Sequence, residues 1–379
     1  MNDAGFGIYL HWPYCSAICP YCDFNVYRAR GADAEPLLAA IEADLFAHAA
    51  RFSARRTESL FFGGGTPSLL SGAQIARLID TASRAFALDA DCEITLEANP
   101  EDAPRFAEHV AAGINRLSVG IQALDDASLR ALGRKHDARA ALRAVEAAAQ
   151  TGARVSLDLI YAREGQGLEP WLAELDFALK LPIEHLSLYQ LTLEPGTAFA
   201  RKAARGALTP LDVETEAALY EATQAACEAA GFAGYEISNH ARSPSAQARH
   251  NLIYWRSGDW IGIGPGAHGR ISHESARIAT EAQRRPDDYI SAVREKGVGW
   301  LTEERLTPEQ VGDEMLLMGL RISEGVELTR IDSVRIKPLN RTRLDWLVEQ
   351  GLVVHTEGRV RLTQTGRPLA NRIAAELAF

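Results

Sequence analysis

The chain places three of its five cysteines in one short stretch near the N-terminus, Cys15-Ser-Ala-Ile-Cys19-Pro-Tyr-Cys22. The apolar run directly before it, residues 6–13, predicts a first strand that feeds into this loop. An odd number of cysteines with a clustered triplet indicates metal ligation and argues against a disulfide framework. Cys92 and Cys227 lie far from the triplet, and we predict that both are small buried hydrophobic side chains.

Apolar runs typical of buried strands alternate with segments of helical spacing over the first half of the chain. The predicted strands cover residues 6–13, 58–62, 93–98, 116–122, 155–161 and 185–193. The predicted helices between them cover residues 36–52, 71–87, 104–112, 138–150 and 170–181. Six strand-then-helix units predict an α/β fold with a parallel sheet covered by helices. Because no Gly-x-Gly-x-x-Gly opens the first helix, a full or partial barrel is favoured over a dinucleotide-binding fold.

The composition changes after a further helix predicted over residues 212–230. Residues 235–269 hold three histidines, two tryptophans and several glycines, without long helical periodicity. Helices predicted at 308–320 and 340–350, followed by a hairpin at 352–362 and a last helix, are typical of a winged-helix module. The predicted domains are a barrel over 1–235, a connecting region over 236–300 and a smaller α+β winged-helix-like domain over 301–379.

Charge and hydropathy exclude several classes of function. The net charge of −10 argues against a broad nucleic-acid surface, which depends on clustered Lys and Arg. Residues 301–379 hold 11 Lys and Arg against 12 Asp and Glu, so a transcription regulator that reads DNA with this module lacks electrostatic support. No apolar run reaches the roughly 20 residues that span a bilayer, and the first residues lack the pattern of a secretion signal. We expect a cytoplasmic protein that binds no nucleic acid.

Polar side chains, and two glycines, recur at or near the carboxyl ends of successive predicted strands. In barrels, this end of the sheet forms the functional site, although each such residue could also simply cap a turn. These residues are the cysteine loop, Gly64, Gly65, Thr66, Glu97, Asn99, Gln122, Asp158, Tyr189 and Gln190.

Three closely spaced thiolates suit an iron–sulfur cluster, because one loop can present all three sulfurs to one compact group. On a four-iron cluster, three thiolates leave one iron open for chemistry. A zinc site is the alternative, but zinc prefers four tetrahedral ligands, and His11 is the only nearby candidate for the fourth.

The Cys-x3-Cys-x2-Cys loop, with a glycine-rich segment after the second strand, resembles the radical S-adenosylmethionine (radical SAM) superfamily. This resemblance implies a partial (βα)6 TIM-type barrel, a [4Fe-4S] cluster on Cys15, Cys19 and Cys22, and S-adenosylmethionine bound to the open iron. The positions that match its motifs for S-adenosylmethionine are Tyr9, Tyr21, Gly64, Gly65, Thr66, Glu97, Gln122, Arg134 and Asp158. Each of them could also serve packing or capping, and Arg134 could lie on a solvated helix end.

Within the superfamily, the chain resembles the branch of coproporphyrinogen dehydrogenases (HemN) and HemW haem chaperones over nearly its whole length. The dehydrogenase pattern has a fourth cysteine where this chain has Phe24. The segment His250-Asn251-Leu-Ile-Tyr254-Trp255 resembles the His-Asn-x-x-Tyr-Trp motif of HemW. The resemblance implies that His250, Asn251, Tyr254 and Trp255 bind haem. The same four residues could instead satisfy loop backbone groups and fill the core, and His240 and His268 are equally close candidates for an iron ligand.

The function implied by this resemblance is a haem chaperone that carries haem to respiratory haem proteins. The runner-up is an oxygen-independent coproporphyrinogen III dehydrogenase, which decarboxylates two propionates to vinyl groups. The resemblance leaves the status of the chain as an enzyme open. Haem and haem-accepting proteins are the expected partners, and a homodimer and a transient contact with a membrane surface are compatible with the sequence.

Overall fold

The computed structural model describes residues 4–31, 33–52 and 55–378 of the chain. Six parallel strands form the centre of its main sheet and pair with one another in chain order. These strands are β1 (Phe6–Trp12), β2 (Arg56–Gly64), β3 (Ala87–Ala98), β4 (Arg116–Gln122), β5 (Arg154–Tyr161) and β6 (His185–Gln190). The predicted α/β fold with a parallel, partial six-unit barrel is therefore confirmed.

Helices cover the outer face of this sheet, where alternate strand residues such as Ile8, Leu60 and Leu96 form the main hydrophobic core. The second helix begins with a capping box, because the Ser71 hydroxyl accepts from Gln74 N–H while the Gln74 side chain accepts from Ser71 N–H. The helices up to residue 229 are α1 (Glu35–Phe52), α2 (Gly72–Ala85), α3 (Phe106–Ala111), α4 (Asp126–Ala131), α5 (Ala138–Gln150), α6 (Leu168–Leu179), α7 (Ala198–Ala203) and α8 (Val213–Ala229). Both isolated cysteines, Cys92 and Cys227, are buried in this core, as predicted.

The main sheet continues beyond residue 235 on both of its sides. The next strands are β7 (Ala233–Gly234), β8 (Asn239–Ala241), β9 (Asp259–Ile263), β10 (His268–His273), β11 (Ala276–Ala282) and β12 (Trp300–Arg305). Strand β8 pairs antiparallel with β6, whereas β9 pairs parallel with β1 and places Tyr9 opposite Gly262. The helices in this part are α9 (Arg249–Trp255) and α10 (Pro286–Lys296). The connecting region thus supplies strands to the same twelve-stranded sheet, and the proposed boundaries at 235 and 300 stay a prediction.

The C-terminal part has a core of its own, built from residues such as Leu316, Ile331 and Val360. Its helices are α11 (Pro308–Gly319), α12 (Leu328–Asp332), α13 (Arg341–Glu349) and α14 (Ala370–Ala378). Its strands are β13 (Val326–Glu327), β14 (Val353–Thr356) and β15 (Arg359–Leu362). The predicted hairpin is formed by β14 and β15, and it turns at Glu357 and Gly358, which both have positive φ. Across the described residues of the whole chain, no helix is long and apolar enough to cross a bilayer.

Candidate functional site

A cavity of about 700 Å³ opens at the carboxyl ends of the six central strands. Residues from the ends of β2 to β6 line it, together with the cysteine loop that follows β1 and one residue of α14. Of the predicted site residues, those that line this cavity are Cys15, Cys19, Tyr21, Cys22, Gly64, Gly65, Thr66, Glu97, Asn99, Gln122, Arg134, Asp158, Tyr189 and Gln190. The chain thus brings together nearly all residues selected by strand-end position, while their roles as ligands stay predictions.

The cysteine loop leaves the barrel after β1 and is closed at its base by backbone hydrogen bonds. Tyr27 N–H donates to the carbonyl of Pro13 at 2.8 Å, and Ala29 N–H donates to that of Cys15 at 2.9 Å. Inside the loop, Cys22 N–H donates to the Cys19 carbonyl at 3.2 Å. These bonds hold a short segment in a fixed turn, so the three thiols face the cavity from one side.

Burial sets the protonation state of two of the thiols. It raises the pKa of Cys15, partly offset by a hydrogen bond from Thr66, and it raises the pKa of Cys22 to about 11. Both side chains are therefore protonated at neutral pH without a metal, and ligation must displace their protons.

The guanidinium of Arg134 lies beside the cysteine loop and does not lie on a solvated helix end. It donates to Cys19 Sγ at 3.5 Å, to the Asn99 side-chain oxygen at 2.6 Å and to the Gly120 carbonyl at 2.9 Å. Asn99 in turn donates to the Thr66 hydroxyl at 3.2 Å. Among the side chains that the structure describes, Arg134 Nε is buried without a hydrogen-bond partner. A cation with an unused donor beside three thiols suits an anionic group in the cavity.

The glycine segment after β2 lets the backbone approach neighbouring groups closely. Gly64 has a φ of 106°, and a Cβ on it would come within 2.6 Å of the His11 ring. A Cβ on Gly65 would lie 2.9 Å from the backbone of Pro13. Gly64 and Gly65 line the cavity next to the thiols at the end of β2. This glycine cradle leaves space there because neither residue carries a side chain.

Two half-buried carboxyl groups, those of Glu97 and Asp158, line the cavity. Burial, followed by the nearby Asp158, raises the pKa of Glu97 to about 8, and Gly64 N–H donates to its carboxyl at 3.1 Å. Burial also raises the pKa of Asp158, against hydrogen bonds from Ser187 and Ser118. Glu97 is thus mostly protonated at neutral pH and can both donate and accept a hydrogen bond, as recognition of a ligand hydroxyl requires.

The structure does not offer His11 as the fourth ligand of a zinc site. His11 is buried, and its ring bonds the Tyr9 hydroxyl through Nδ1 and the Asn25 carbonyl through Nε2, each at 3.0 Å. Within the described ranges, no set of three or more His, Cys, Asp or Glu side chains is placed to hold a metal ion. A four-iron cluster binds each thiolate on a separate iron, so it does not need the sulfurs to converge on one point. The free thiols, the glycine cradle and Arg134 therefore fit a cluster better than they fit zinc.

The predicted haem residues lie elsewhere, on α9 at the opposite end of the barrel. His250 is buried, and its ring bonds the Ser59 hydroxyl through Nδ1 at 3.0 Å and the Tyr254 hydroxyl through Nε2 at 2.7 Å. Its ring also stacks on Phe61, with centroids 4.9 Å apart. Burial lowers the pKa of His250 to about 3, so the imidazole is neutral. In this conformation both ring nitrogens are engaged, and His250 forms part of the barrel floor.

The rest of the motif and its neighbours are also separate from the thiols. Tyr9, predicted beside the cluster, lies below the cavity, with its ring 6.2 Å from that of His250. Trp255 lies on the other side of α9, 4.8 Å below the guanidinium of Arg321, and Asn251 bonds the Tyr235 hydroxyl. His240 is buried, with Nε2 at 3.1 Å from Gln224 Oε1, and His268 is exposed. The haem assignment of these residues stays a prediction.

Sequence reasoning missed several residues of the cavity. Ser118, which bonds Asp158 at 3.2 Å, could have been found because it lies two residues before Gly120 and so faces the same side of β4. Asn371 of α14 and Tyr220 of α8 also line the cavity. No local pattern marks either of them, since only the packing of distant elements brings them to the mouth.

Two family models match the chain: "Radical SAM superfamily" over residues 9–178, and "HemN C-terminal domain" over residues 306–369. Fold, cysteine loop and cavity thus define a radical SAM protein with a HemN-type C-terminal domain. The chain is 37% identical to "Heme chaperone HemW" of Mycobacterium tuberculosis over 100% of its own length and 96% of that protein. It is 35% identical to "Heme chaperone HemW" of Bacillus subtilis, covering 96% and 97% of the two chains. The chain belongs to the HemW family.

Two further proteins extend this comparison. The chain is 39% identical to the bovine "Radical S-adenosyl methionine domain-containing protein 1, mitochondrial", over 97% of this chain and 87% of that one. The crystal structure of the coproporphyrinogen III oxidase HemN from Escherichia coli superposes with a TM-score of 0.82 over 99% of this chain and 90% of that chain. At 22% identity, this second likeness establishes the shared fold alone.

Proposed function

We propose that the chain is a haem chaperone, which binds haem and delivers it to haem proteins of the respiratory chain. The observation that carries this proposal is full-length similarity to proteins named heme chaperone HemW. In the proposal, Cys15, Cys19 and Cys22 hold a [4Fe-4S] cluster, and S-adenosylmethionine occupies the 700 Å³ cavity. When bound, the cluster supplies an open iron for the amino and carboxylate groups of S-adenosylmethionine. A homodimer and a transient contact with a membrane surface stay predictions.

The residues around the cavity have distinct parts in this proposal. Arg134 places a positive charge beside the thiolates and balances part of the charge that they gain on ligation. Gly64 and Gly65 leave room for the methionine end of the ligand next to the thiols. Glu97, which is mostly protonated at neutral pH, would bind the ribose hydroxyls, and Tyr21 closes the wall by packing against Phe199.

Phe24 supports the chaperone over the dehydrogenase. It follows the cysteine loop at the position where the dehydrogenase pattern has a fourth cysteine, it lines the cavity, and it is 60% exposed. A phenyl ring offers no thiolate there, so the loop presents three sulfurs only.

The test compares haem uptake with porphyrinogen turnover in one preparation. The cluster is reconstituted under anaerobic conditions. One sample receives coproporphyrinogen III with S-adenosylmethionine and a reductant, and a second is titrated with haemin. We expect stoichiometric haem uptake and transfer to an apo-haem protein, without protoporphyrinogen. Formation of protoporphyrinogen over many turnovers would refute the chaperone proposal.

A further inference from the structure

A second, wide cleft lies on the far side of α9 from the thiols. Its volume is about 1370 Å³, and it separates the β9–β12 side of the main sheet from α11 and α12 of the C-terminal domain. Tyr254, from the predicted haem motif, lines this cleft. One residue of the motif therefore faces a cavity, but a different one from the cavity at the thiols.

Flat apolar groups form one wall of the cleft. Tyr254 and Trp260 pack with ring centroids 4.6 Å apart, and Met315 and Met318 of α11 line the cleft beside them. Aromatic rings and flexible thioethers together suit a large planar apolar ligand, because methionine adapts to an irregular surface.

The cleft lining holds five arginines and four carboxylates. Asp259 is held by both Arg277 and Arg55, while Glu314 pairs at 2.8 Å with Arg270, which lies outside the cleft lining. Asp259 and Glu314 are thus already paired, whereas the Glu274 carboxylate is exposed beside His273. The guanidinium of Arg305 is exposed at the rim and donates only a long bond of 3.4 Å, to the Glu274 carbonyl. A carboxylate of a bound ligand would find a stronger partner here than Arg305 has now.

A histidine stands beside this arginine. His273 lies at the tight turn between β10 and β11, whose corner residues Glu274 and Ser275 have positive φ. One edge of its ring packs against Phe52, with centroids 5.5 Å apart at an angle of 82°. Its Nε2 is 3.7 Å from Glu274 Oε1, which is too long for a hydrogen bond. The imidazole is therefore partly exposed, oriented by packing, and able to ligate a metal.

The thiol cavity cannot take this ligand in addition to its own. A volume of about 700 Å³ lies within the range of roughly 300–1,000 Å³ that holds one drug-sized ligand, and the proposed S-adenosylmethionine would fill it. The floor of buried side chains around His250 closes that cavity from below. The cleft, by contrast, lies between two separate cores, and such an interface can open to release what it holds.

We propose that this cleft is the haem site: the macrocycle packs on Tyr254, Trp260 and the two methionines, Arg305 pairs with a propionate, and His273 ligates the iron. This inference rests on the proposed function and adds the location of its ligand. His250 then acts as a positioning residue, which holds the Tyr254 hydroxyl from the barrel side.

The test uses the full chain with its cluster reconstituted, titrated with haemin and followed by difference absorption at the Soret band. Ser333→Trp, directly after α12, fills the cleft, and Thr329→Trp on that helix but outside the cleft lining is its control. His273→Ala removes the ligand, and His355→Ala, an exposed histidine of the C-terminal domain, is its control. We expect haem affinity to fall at least tenfold in both cleft variants and to stay at the wild-type value in both controls. His273→Ala should also shift the Soret maximum, because the axial ligand changes.

Wild-type affinity in a folded Ser333→Trp protein would overturn the proposal, and so would an unchanged Soret spectrum in His273→Ala. Melting temperature and iron content show whether each variant is folded and loaded. His273 lies in a turn at the protein surface, so its variant keeps the test decisive if the tryptophan variant fails to fold. Absence of haem binding by the wild-type protein is a different result, because it contradicts the proposed function itself.

Discussion

Replacing Glu97 by glutamine should stabilise the cofactor-free protein and weaken its binding of S-adenosylmethionine. Burial and the nearby Asp158 raise the pKa of Glu97 from its usual 4.5 to about 8. Between these two pH values the native state keeps a proton that the unfolded chain has lost. The free energy of unfolding therefore falls as the pH rises from 4.5 to about 8.

The size of this effect follows from the pKa difference. At about 1.4 kcal/mol per pH unit, the carboxyl costs the native state on the order of 3 kcal/mol at pH 7. Water reaches the Glu97 carboxyl from the cavity, and this raises the effective dielectric constant around it. We therefore expect Glu97→Gln to raise the free energy of unfolding by about 1.5 kcal/mol at pH 7, and by close to zero at pH 4. The amide oxygen can still accept from Gly64 N–H, so the cavity wall should keep its shape.

Urea unfolding of the cofactor-free wild-type and Glu97→Gln chains at several pH values measures this difference in the free energy of unfolding directly. The control is Glu146→Gln on the exposed face of α5, where a surface substitution changes stability by less than about 0.5 kcal/mol. If Glu97→Gln keeps the slope of the wild-type protein between pH 5 and pH 8, the carboxyl is ionised in the native state and the reasoning from burial fails.

The remaining predictions concern the cradle, the cysteine loop and the barrel floor. Gly64→Ala should destabilise the protein by about 2 kcal/mol or more in urea unfolding, since its φ is positive and the new Cβ meets His11; an unchanged midpoint contradicts this. Asn25→Ala removes the hydrogen bonds that its side chain donates to the Pro265 carbonyl at 2.9 Å and to the Arg284 carbonyl. It should lower the free energy of unfolding by about 2 kcal/mol and speed loss of the reconstituted cluster to a chelator. Chelation kinetics equal to those of the wild-type protein would contradict this prediction. His250→Ala should weaken haem binding and leave the iron content unchanged, and an unaltered haem affinity would contradict its role in positioning Tyr254.

The barrel and most of the thiol cavity could be predicted from the sequence, because both follow from local patterns. Each strand is a short apolar run, and the residues of interest lie at strand ends, so a parallel sheet brings them to one edge without any knowledge of packing. Arg134 shows the limit of this reasoning. Its segment has the composition of a solvated helix end, and only the fold carries it to within 3.5 Å of Cys19 Sγ.

Pairing between distant segments could not be predicted in the same way. Strand β9 lies beside β1, more than 240 residues away in sequence, and its five residues carry no signal for that partner. Without β9 in the sheet, the sequence of the segment before it predicts a loop rather than the floor of a barrel. The resemblance of its motif indicated the HemW family correctly, but a motif cannot say which of two cavities its side chains face.

The position of α9 shows how the proposed haem motif and the cysteine loop can serve different ligands in one chain. On the barrel side, the His250 ring packs against Phe61 and lies beside Tyr9, below the glycine cradle. On the other side, Tyr254 packs against Trp260 in the cleft. The hydrogen bond of 2.7 Å between His250 and Tyr254 joins these two faces within one turn of helix. Since His250 is neutral and already bonded, its contribution to haem binding in our proposal is to hold the Tyr254 ring, so that α9 would separate the two proposed ligand sites.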